Sequence, residues 1–305
     1  MEEMYNCFTV FGRSSMNDAL NSMLKRYNCN SIDDYENALK EIVQEISLLG
    51  LWRAKFYEKA AFYGGSALRI LYGLDRFSED LDFSLLTPDN NLDLSKYHKA
   101  IQDELSGFGL KAEVLPISKS VQSQIDSAFI KAGTFQNFIL IDVPGALRNK
   151  IHKEKIIKVK FEVDKNPPGG FDTEAKYLLQ PIPFFINTYT LPSLFAGKLH
   201  AILCRKWQFR VKGRDWYDLV WFIGKNVPLN LTHLEIRMKQ SGHLAESDVL
   251  ARGYLLELLN EKIDSVDFKN AADDVKNFIK NPEIIEIWSS AFFKDIIKKI
   301  VIEKK

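Results

Sequence analysis

The stretch from residue 64 to residue 83 limits the fold of this chain more than any other. It begins with Gly-Gly-Ser, continues as Ala-Leu-Arg-Ile-Leu-Tyr-Gly, and closes with Arg-Phe-Ser-Glu-Asp-Leu-Asp-Phe. The Gly-Gly-Ser turn predicts the start of a short helix, and the last residues predict a strand. Because side chains alternate across a strand, Asp80 and Asp82 point to one face, and Leu81 and Phe83 point to the other.

Two carboxylates on one strand face, close to such a turn, predict a site for a divalent metal and a phosphate. Mg²⁺ prefers oxygen ligands, and free backbone N–H groups at Gly65 and Ser66 can hold a phosphate. An isolated Asp-x-Asp is more often a solvated strand end, and Gly-Gly-Ser is more often a simple helix start. Their joint occurrence favours the metal site. The turn lacks the Gly-Lys-Ser/Thr ending of a P-loop, which disfavours a Walker-type ATPase.

A third carboxylate is expected from a later strand over residues 155–164. Its apolar residues alternate with a charged face that carries Lys158, Lys160, Glu162 and Asp164. Glu162 lies between two apolar residues and is the preferred ligand. Asp164 borders Asn-Pro-Pro-Gly-Gly, where an aspartate also serves as a turn former, and it stays open as the alternative.

The order of elements predicts an α+β fold with two domains. Residues 1–190 mix strands and helices and are expected to form a mixed sheet flanked by helices. Residues 191–305 are almost entirely helical in pattern and are expected to form a helical domain that completes the nucleotide site. Beside the aspartate strand, strands are predicted at residues 61–63, 110–117, 123–131, 135–141, 155–164 and 184–189. Helices are predicted at about 17–26, 31–49, from 52, from 67, 92–105, 193–206, 214–223, 232–240, 245–260, 266–279 and 284–300.

The helical half carries cations and acids at spacings that bring them to one helix face. Lys198 and Arg205 are seven residues apart, nearly two turns, and could grip β- and γ-phosphates. Solvated surface cations would show the same spacing. Asp215 and Asp218 share a face at i, i+3, although an acid in the first turn also stabilises a helix through its dipole.

Three segments resemble the AbiEii/AbiGii toxin family. The first is the stretch at residues 64–83, the second is Ser-Leu-Phe-Ala-Gly-Lys-Leu-His-Ala at 193–201, and the third is Arg-Asp-Trp-Tyr-Asp at 214–218. The resemblance extends from about residue 40 to about residue 225. It implies a nucleotidyltransferase with a polymerase β-like fold, of the kind found in bacterial abortive-infection and toxin–antitoxin systems.

The resemblance also implies roles for particular residues and partners. Asp80 and Asp82 would bind the metals, and Lys198 would contact the triphosphate. The remaining implied roles are nucleotide phosphate binding by Gly65 and Ser66, completion of the active site by Asp218 with Asp215, and phosphate or ion-pair support by Arg205 and Arg214. The implied cofactor is Mg²⁺, with Mn²⁺ as a substitute, and the implied substrate is an NTP. The implied partners are an RNA acceptor, with the 3′ end of tRNA as the candidate, and a cognate antitoxin protein.

Composition excludes several other classes of protein. The formal net charge is +1, so no global field indicates nucleic-acid binding. Three cysteines and five histidines occur without metal-ligand spacing, which argues against a disulfide scaffold and a zinc site. The sequence shows neither a signal peptide nor an apolar run long enough to span a membrane, and a cytoplasmic location is expected. A nucleotide-binding protein without turnover, and transfer to a protein or small molecule, remain as alternatives.

Overall fold

The computed structural model describes residues 19–116, 134–142, 156–205 and 211–304 of the chain. The chain divides into two compact units. The first consists of Met1–Leu71, Ser78–Asn166 and Ala175–Asn187, and the second consists of Tyr72–Phe77, Pro167–Glu174 and Thr188–Lys305. Two short segments of the second unit, Tyr72–Phe77 and Pro167–Glu174, come from the strand-rich first half of the sequence. A division of the chain at residue 191 alone places both segments in the first domain.

A seven-stranded mixed sheet has the order β3-β4-β5-β2-β1-β7-β6. β2 pairs parallel with β5, whereas the pairs β1–β2, β3–β4 and β4–β5 are antiparallel. The strands are β1 (Ala60–Tyr63), β2 (Asp80–Leu85), β3 (Ala112–Pro116), β4 (Thr134–Asp142), β5 (Ile156–Asp164), β6 (Thr173–Leu178) and β7 (Phe184–Tyr189).

The first helical segment of the described chain covers residues 19–25. The following α-helices are α1 (Ile32–Arg53), α2 (Gly64–Tyr72), α3 (Ser95–Gly107), α4 (Leu191–Cys204), α5 (Gly213–Gly224), α6 (Leu231–Gln240), α7 (Arg252–Asp264), α8 (Phe268–Val275) and α9 (Ser290–Ile296). None of the described helices is long and apolar enough to cross a membrane.

The core of the first unit lies between the sheet and α1. On β2, Leu81 and Phe83 are fully buried while Asp80 and Asp82 are only half-buried, as the alternating pattern predicts. The ring of Phe83 lies 5.4 Å from that of Phe161 on β5. The helix contributes the fully buried side chains Leu39, Ile42, Val43, Ile46 and Leu49. Burial of this apolar surface fixes which face of the sheet carries the acids.

Aromatic packing forms part of the core of the second unit. Trp216 on α5 is fully buried and makes edge contacts with Phe268 at 5.0 Å and Phe293 at 4.9 Å between ring centroids. Phe195 on α4 stacks on Phe222 of α5 at 4.6 Å. The Trp216 contacts join α5 to α8 and α9, and the Phe195–Phe222 contact joins α5 to α4, so that the two helices with the predicted cations and acids pack together.

Most of the predicted elements are confirmed, and the first half contains one wrong prediction and one omission. The helix expected from residue 52 does not form, because α1 continues to Arg53 and is followed by a short 3₁₀ turn at Phe56–Glu58. Strand β6 was missed; its residues alternate between exposed and half-buried without a fully buried side chain. The strand expected at residues 123–131 lies outside the described residues.

The last three helices are shorter than expected, for local reasons. The helix expected from residue 245 begins at Arg252, because the backbone N–H of Leu250 is held by a carboxylate oxygen of Glu235 at 2.8 Å. The helix expected over residues 266–279 ends at Val275 and continues as a 3₁₀ turn. The helix expected over residues 284–300 begins only at Ser290, capped by the hydroxyl of Ser289.

A glycine pair in α5 tests the packing of the second unit. A Cβ at Gly213 would overlap the carbonyl oxygen of Ala271 on α8, whereas a Cβ at Gly224 would meet open space. Gly213→Ala should therefore destabilise the fold by about 1–3 kcal/mol through overpacking. Gly224→Ala should leave the midpoint of thermal unfolding unchanged or slightly raised. Equal midpoints for the two variants would contradict the tight contact.

Candidate active site

The parallel pairing of β2 with β5 sets the acids of the first unit side by side. In its register Asp80 lies opposite Lys160, and Asp82 lies opposite Glu162. All four of these residues are half-buried. The structure therefore brings together three of the predicted metal ligands, Asp80, Asp82 and Glu162, on adjacent strands.

The register separates the two candidates for the third carboxylate. Asp164 lies opposite Ser84, two pairs beyond Asp82, and is buried. One of its carboxylate oxygens accepts the backbone N–H of Asn166 at 3.0 Å, which is the contact of a turn former. Glu162 is 21% exposed in its side chain and lies directly beside Asp82. The register thus places Glu162, and not Asp164, beside Asp82, and the identity of the third ligand stays a prediction.

The turn at Gly64 approaches the acids closely. Gly64 has a φ of +84°, in the left-handed region that favours glycine. A Cβ at this position would also collide with the carboxylate of Asp82. The backbone at the start of α2 thus passes directly against an acid of β2, and only glycine meets both requirements.

The hydroxyl of Ser66 has a partner within the fold. Ser66 is fully buried, and its hydroxyl donates to the backbone carbonyl of Asp80. The side-chain amide of Gln44 on α1 donates to the Ser66 hydroxyl at 3.4 Å and to the carbonyl of Ser78 at 3.1 Å. Gln44 was missed by the sequence reasoning, although a polar residue among the apolar positions of a buried helix is a usable signal. Phosphate binding by Gly65 and Ser66 stays a prediction.

Lys160 provides the positive charge of this acidic face. Its ammonium lies 2.5 Å from a carboxylate oxygen of Glu162. Desolvation lowers the pKa of Lys160, but the charge and hydrogen bond of Glu162 and the charges of Asp80 and Asp82 raise it further, so the net shift is upward. The lysine is therefore positive in the field of all three carboxylates.

The carboxylates of this face are suitable ligands for a hard divalent cation such as Mg²⁺, although they do not form a complete metal site by themselves. In the described part of the chain, no three Asp, Glu, His or Cys side chains are grouped closely enough to hold a metal ion. Mg²⁺ does not need such a cage, since it is usually bound by one or two carboxylates together with waters and substrate phosphates. Asp80 and Asp82 on one strand face, with Glu162 beside them, are of that kind.

A second cluster, in the second unit, joins α4 to α5. The ammonium of Lys198 lies 2.7 Å from a carboxylate oxygen of Asp218 and 3.5 Å from one of Asp215. Arg205 donates to Asp215 at 2.6 Å. The structure thus brings together four residues that the sequence predicted for nucleotide binding and completion of the active site.

Arg76 is a fifth member of this cluster, and the sequence reasoning missed it. Its guanidinium makes a bidentate contact with Asp218, with both N–O distances at 2.6 Å, and both side chains are almost completely buried. A third nitrogen donates to the carbonyl of Phe77 at 3.0 Å. The available signal was an arginine inside the motif, four residues before Asp80.

The cluster has an excess of positive charge, and its cations differ in exposure. Among the described residues, Arg76, Lys198 and Arg205 contact the two carboxylates, and the charge of Lys212 also acts on Asp215. The side-chain exposure of the three contacting cations rises from 2% for Arg76 to 15% for Lys198 and 34% for Arg205. Burial raises the pKa of Asp215, but the charges of Arg205, Lys198 and Arg76 outweigh it, so the pKa is lowered overall. Both acids therefore serve to hold cations, and the accessible charge is that of Lys198 and Arg205.

Arg214 lies elsewhere on α5. Its guanidinium stacks over the ring of Phe278 at 4.2 Å from the centroid, a cation–π contact. A supporting role of Arg214 in phosphate binding stays a prediction.

Comparison with known proteins identifies similar chains. A family model described as "Nucleotidyl transferase AbiEii toxin, Type IV TA system" matches residues 46–291. No curated protein matches the sequence. MenT4, a nucleotidyltransferase toxin from Mycobacterium tuberculosis H37Rv, has a similar structure, with a TM-score of 0.53 and 14% identity over 91% of this chain and 87% of that one. JHP933 from Helicobacter pylori gives a TM-score of 0.46 and 14% identity, over 86% and 90%.

The buried pair of Arg76 and Asp218 yields a stability prediction. Arg76→Met leaves the buried carboxylate of Asp218 with Lys198 alone, and breaking a buried pair from one side costs about 3–5 kcal/mol. Denaturant unfolding should show this loss. Lys298→Met, which removes a cation from an exposed pair with Asp295, is the control and should unfold like the wild type. Equal stability of Arg76→Met and wild type would show that the pair does not hold the cluster.

Proposed function

The chain belongs to the AbiEii nucleotidyltransferase toxin family, and on this basis we propose that it transfers NMP from an NTP to a hydroxyl group of an RNA. The nucleotidyltransferase activity and the toxin class follow from the family. The Mg²⁺ dependence, the RNA acceptor and its identity as the 3′ end of tRNA are the proposal, together with a cytoplasmic location and the presence of a cognate antitoxin.

One observation carries the metal-dependent reaction. The parallel register places Glu162 directly beside Asp82, two residues from Asp80, next to the glycine turn that opens α2. Asp80 and Asp82 would hold the ion together with waters and the phosphates of the nucleotide, and Glu162 lies beside them as the third carboxylate. When bound, Mg²⁺ would neutralise charge on the phosphates and lower the pKa of the attacking hydroxyl.

The second cluster supports binding of the triphosphate. Lys198 and Arg205 are its accessible cations, and each is oriented by a carboxylate of α5. Fixed donors aimed at developing negative charge stabilise a transition state without further reorganisation. In our proposal Lys198 neutralises the leaving pyrophosphate, while Asp218, Asp215 and Arg76 act as positioning residues that hold the cations.

The backbone at the start of α2 would complete the phosphate contacts. N–H groups at a helix N-terminus are without intrahelical partners and attract anions. Gly65 and Ser66 occupy this position. Because the Ser66 hydroxyl is engaged with Asp80, the phosphate contact in our proposal is made by the backbone N–H groups.

A labelling assay tests the proposed reaction. Purified chain is incubated with each α-³²P-labelled NTP, Mg²⁺ and total cellular RNA and protein, and the products are treated with RNase or protease. We expect RNase-sensitive label at the 3′ end of tRNA, and a loss of at least about two orders of magnitude in rate for Asp82→Asn. Asp103→Asn, which makes the same substitution at an exposed acid on α3, should retain the wild-type rate.

Three results would overturn parts of this proposal. Protease-sensitive label would show a protein acceptor. Bound NTP without transfer to any acceptor would favour a binding protein. Full transfer by Asp82→Asn would show that the metal site is assigned wrongly.

Lys198 has a separate expected effect. Lys198→Met should lower kcat by roughly 10²–10³-fold, because it removes a donor that acts on charge developing in the transition state. The same variant should no longer arrest growth when expressed in a bacterial host. Lys276→Met removes an exposed lysine of the second unit and serves as the control. An unchanged kcat for Lys198→Met would contradict its assignment.

A further inference from the structure

Lys160 lies in the acidic face without an assigned role. It stands opposite Asp80 in the β2–β5 register and two residues before Glu162 on the same strand face. Its ammonium is 2.5 Å from Glu162, and its side chain is 32% exposed. A cation that the chain itself supplies therefore occupies the group of carboxylates proposed to hold the metal.

The pairing has a consequence for any divalent ion. The carboxylate oxygen of Glu162 that is paired with Lys160 can bind a metal ion only if this ion pair breaks. In addition, the positive charge of the ammonium repels a divalent cation a few ångströms away. Both effects weaken with distance and solvent screening, but this group is partly shielded from water. The register also places Lys160 opposite Asp80, so the ammonium lies in the field of more than one carboxylate.

We propose that Lys160 is a built-in counter-ion of the metal site, which holds Glu162 until a divalent ion displaces it. This inference rests on the metal site in the proposed function. The lysine balances part of the repulsion among Asp80, Asp82 and Glu162 when no metal is bound. It also lowers the affinity for a free ion, so that the ion is taken up together with a nucleotide whose phosphates supply further ligands.

Calorimetric titration of the full chain with Mn²⁺, without nucleotide, tests this role. Lys160→Met should bind Mn²⁺ about tenfold or more tightly than the wild type, because a repelling charge is gone and Glu162 is released. Lys160→Arg keeps the charge and should bind like the wild type. Lys158→Met is the matched control, since it removes a cation from the same strand and lies before the first pair of the β2–β5 register.

A second readout is the midpoint of thermal unfolding. In EDTA, Lys160→Met should melt below Lys158→Met, because three carboxylates then repel one another. Added Mn²⁺ should raise the midpoint of Lys160→Met more than that of the wild type. The two readouts do not depend on catalytic activity.

The outcomes separate this inference from the proposed function. If wild type and Lys160→Met bind Mn²⁺ with equal affinity, the counter-ion role is wrong while the metal site stands. Weaker binding by Lys160→Met would also overturn it, since the lysine would then assist the metal. If no variant binds Mn²⁺ either alone or with an NTP, the metal site itself fails, and the counter-ion role fails with it.

Discussion

The parallel register between β2 and β5 is the constraint on which the acidic face depends. A slip of one residue would turn Glu162 away from Asp82 and move Phe161 from the core to the opposite face. The same burial that stabilises the first unit therefore fixes the position of the acids. Packing of Phe83 against Phe161 and the pairing of Asp82 with Glu162 are two results of one register.

The two clusters balance charge in opposite ways. In the described part of the chain, the acidic face places the three carboxylates of Asp80, Asp82 and Glu162 around Lys160, which suits a cation as ligand. The cluster on α4 and α5 keeps an excess of cations around two buried carboxylates, which suits an anion. In the cluster on α4 and α5 the buried acids Asp218 and Asp215 hold the more exposed cations in place.

Much of the fold could be predicted because the decisive patterns are local. The alternation on β2 and β5 and the helical spacing of α1, α4 and α5 depend on residues close together in sequence. The likeness to MenT4 confirms the predicted mixed α/β nucleotidyltransferase fold. The edge strand β6 escaped prediction because its side chains alternate only between exposed and half-buried, and none of them is fully buried.

The candidate site was predictable in its residues but not in its pairings. Arg76 lies within the motif, yet its partner Asp218 is 142 residues away, and nothing local indicates the contact. The same holds for Gln44, whose hydrogen bond to Ser66 becomes visible only when α1 and α2 are packed. Lys160 was placed on the correct strand face, but its pairing with Glu162 depends on side-chain conformation.

The position of Arg76 also bears on how this chain can be dissected. The helical unit takes Tyr72–Phe77 from the middle of the sheet-forming sequence, and the backbone N–H of Phe77 donates to the carbonyl of Phe278 at 2.9 Å. A fragment that starts at Thr188 would lack this segment, leaving Asp218 buried without its guanidinium. The C-terminal part of the chain from Thr188 is thus not a complete folding unit by itself. A circular permutant of the whole chain keeps all segments of the unit, whereas a truncated fragment loses Tyr72–Phe77.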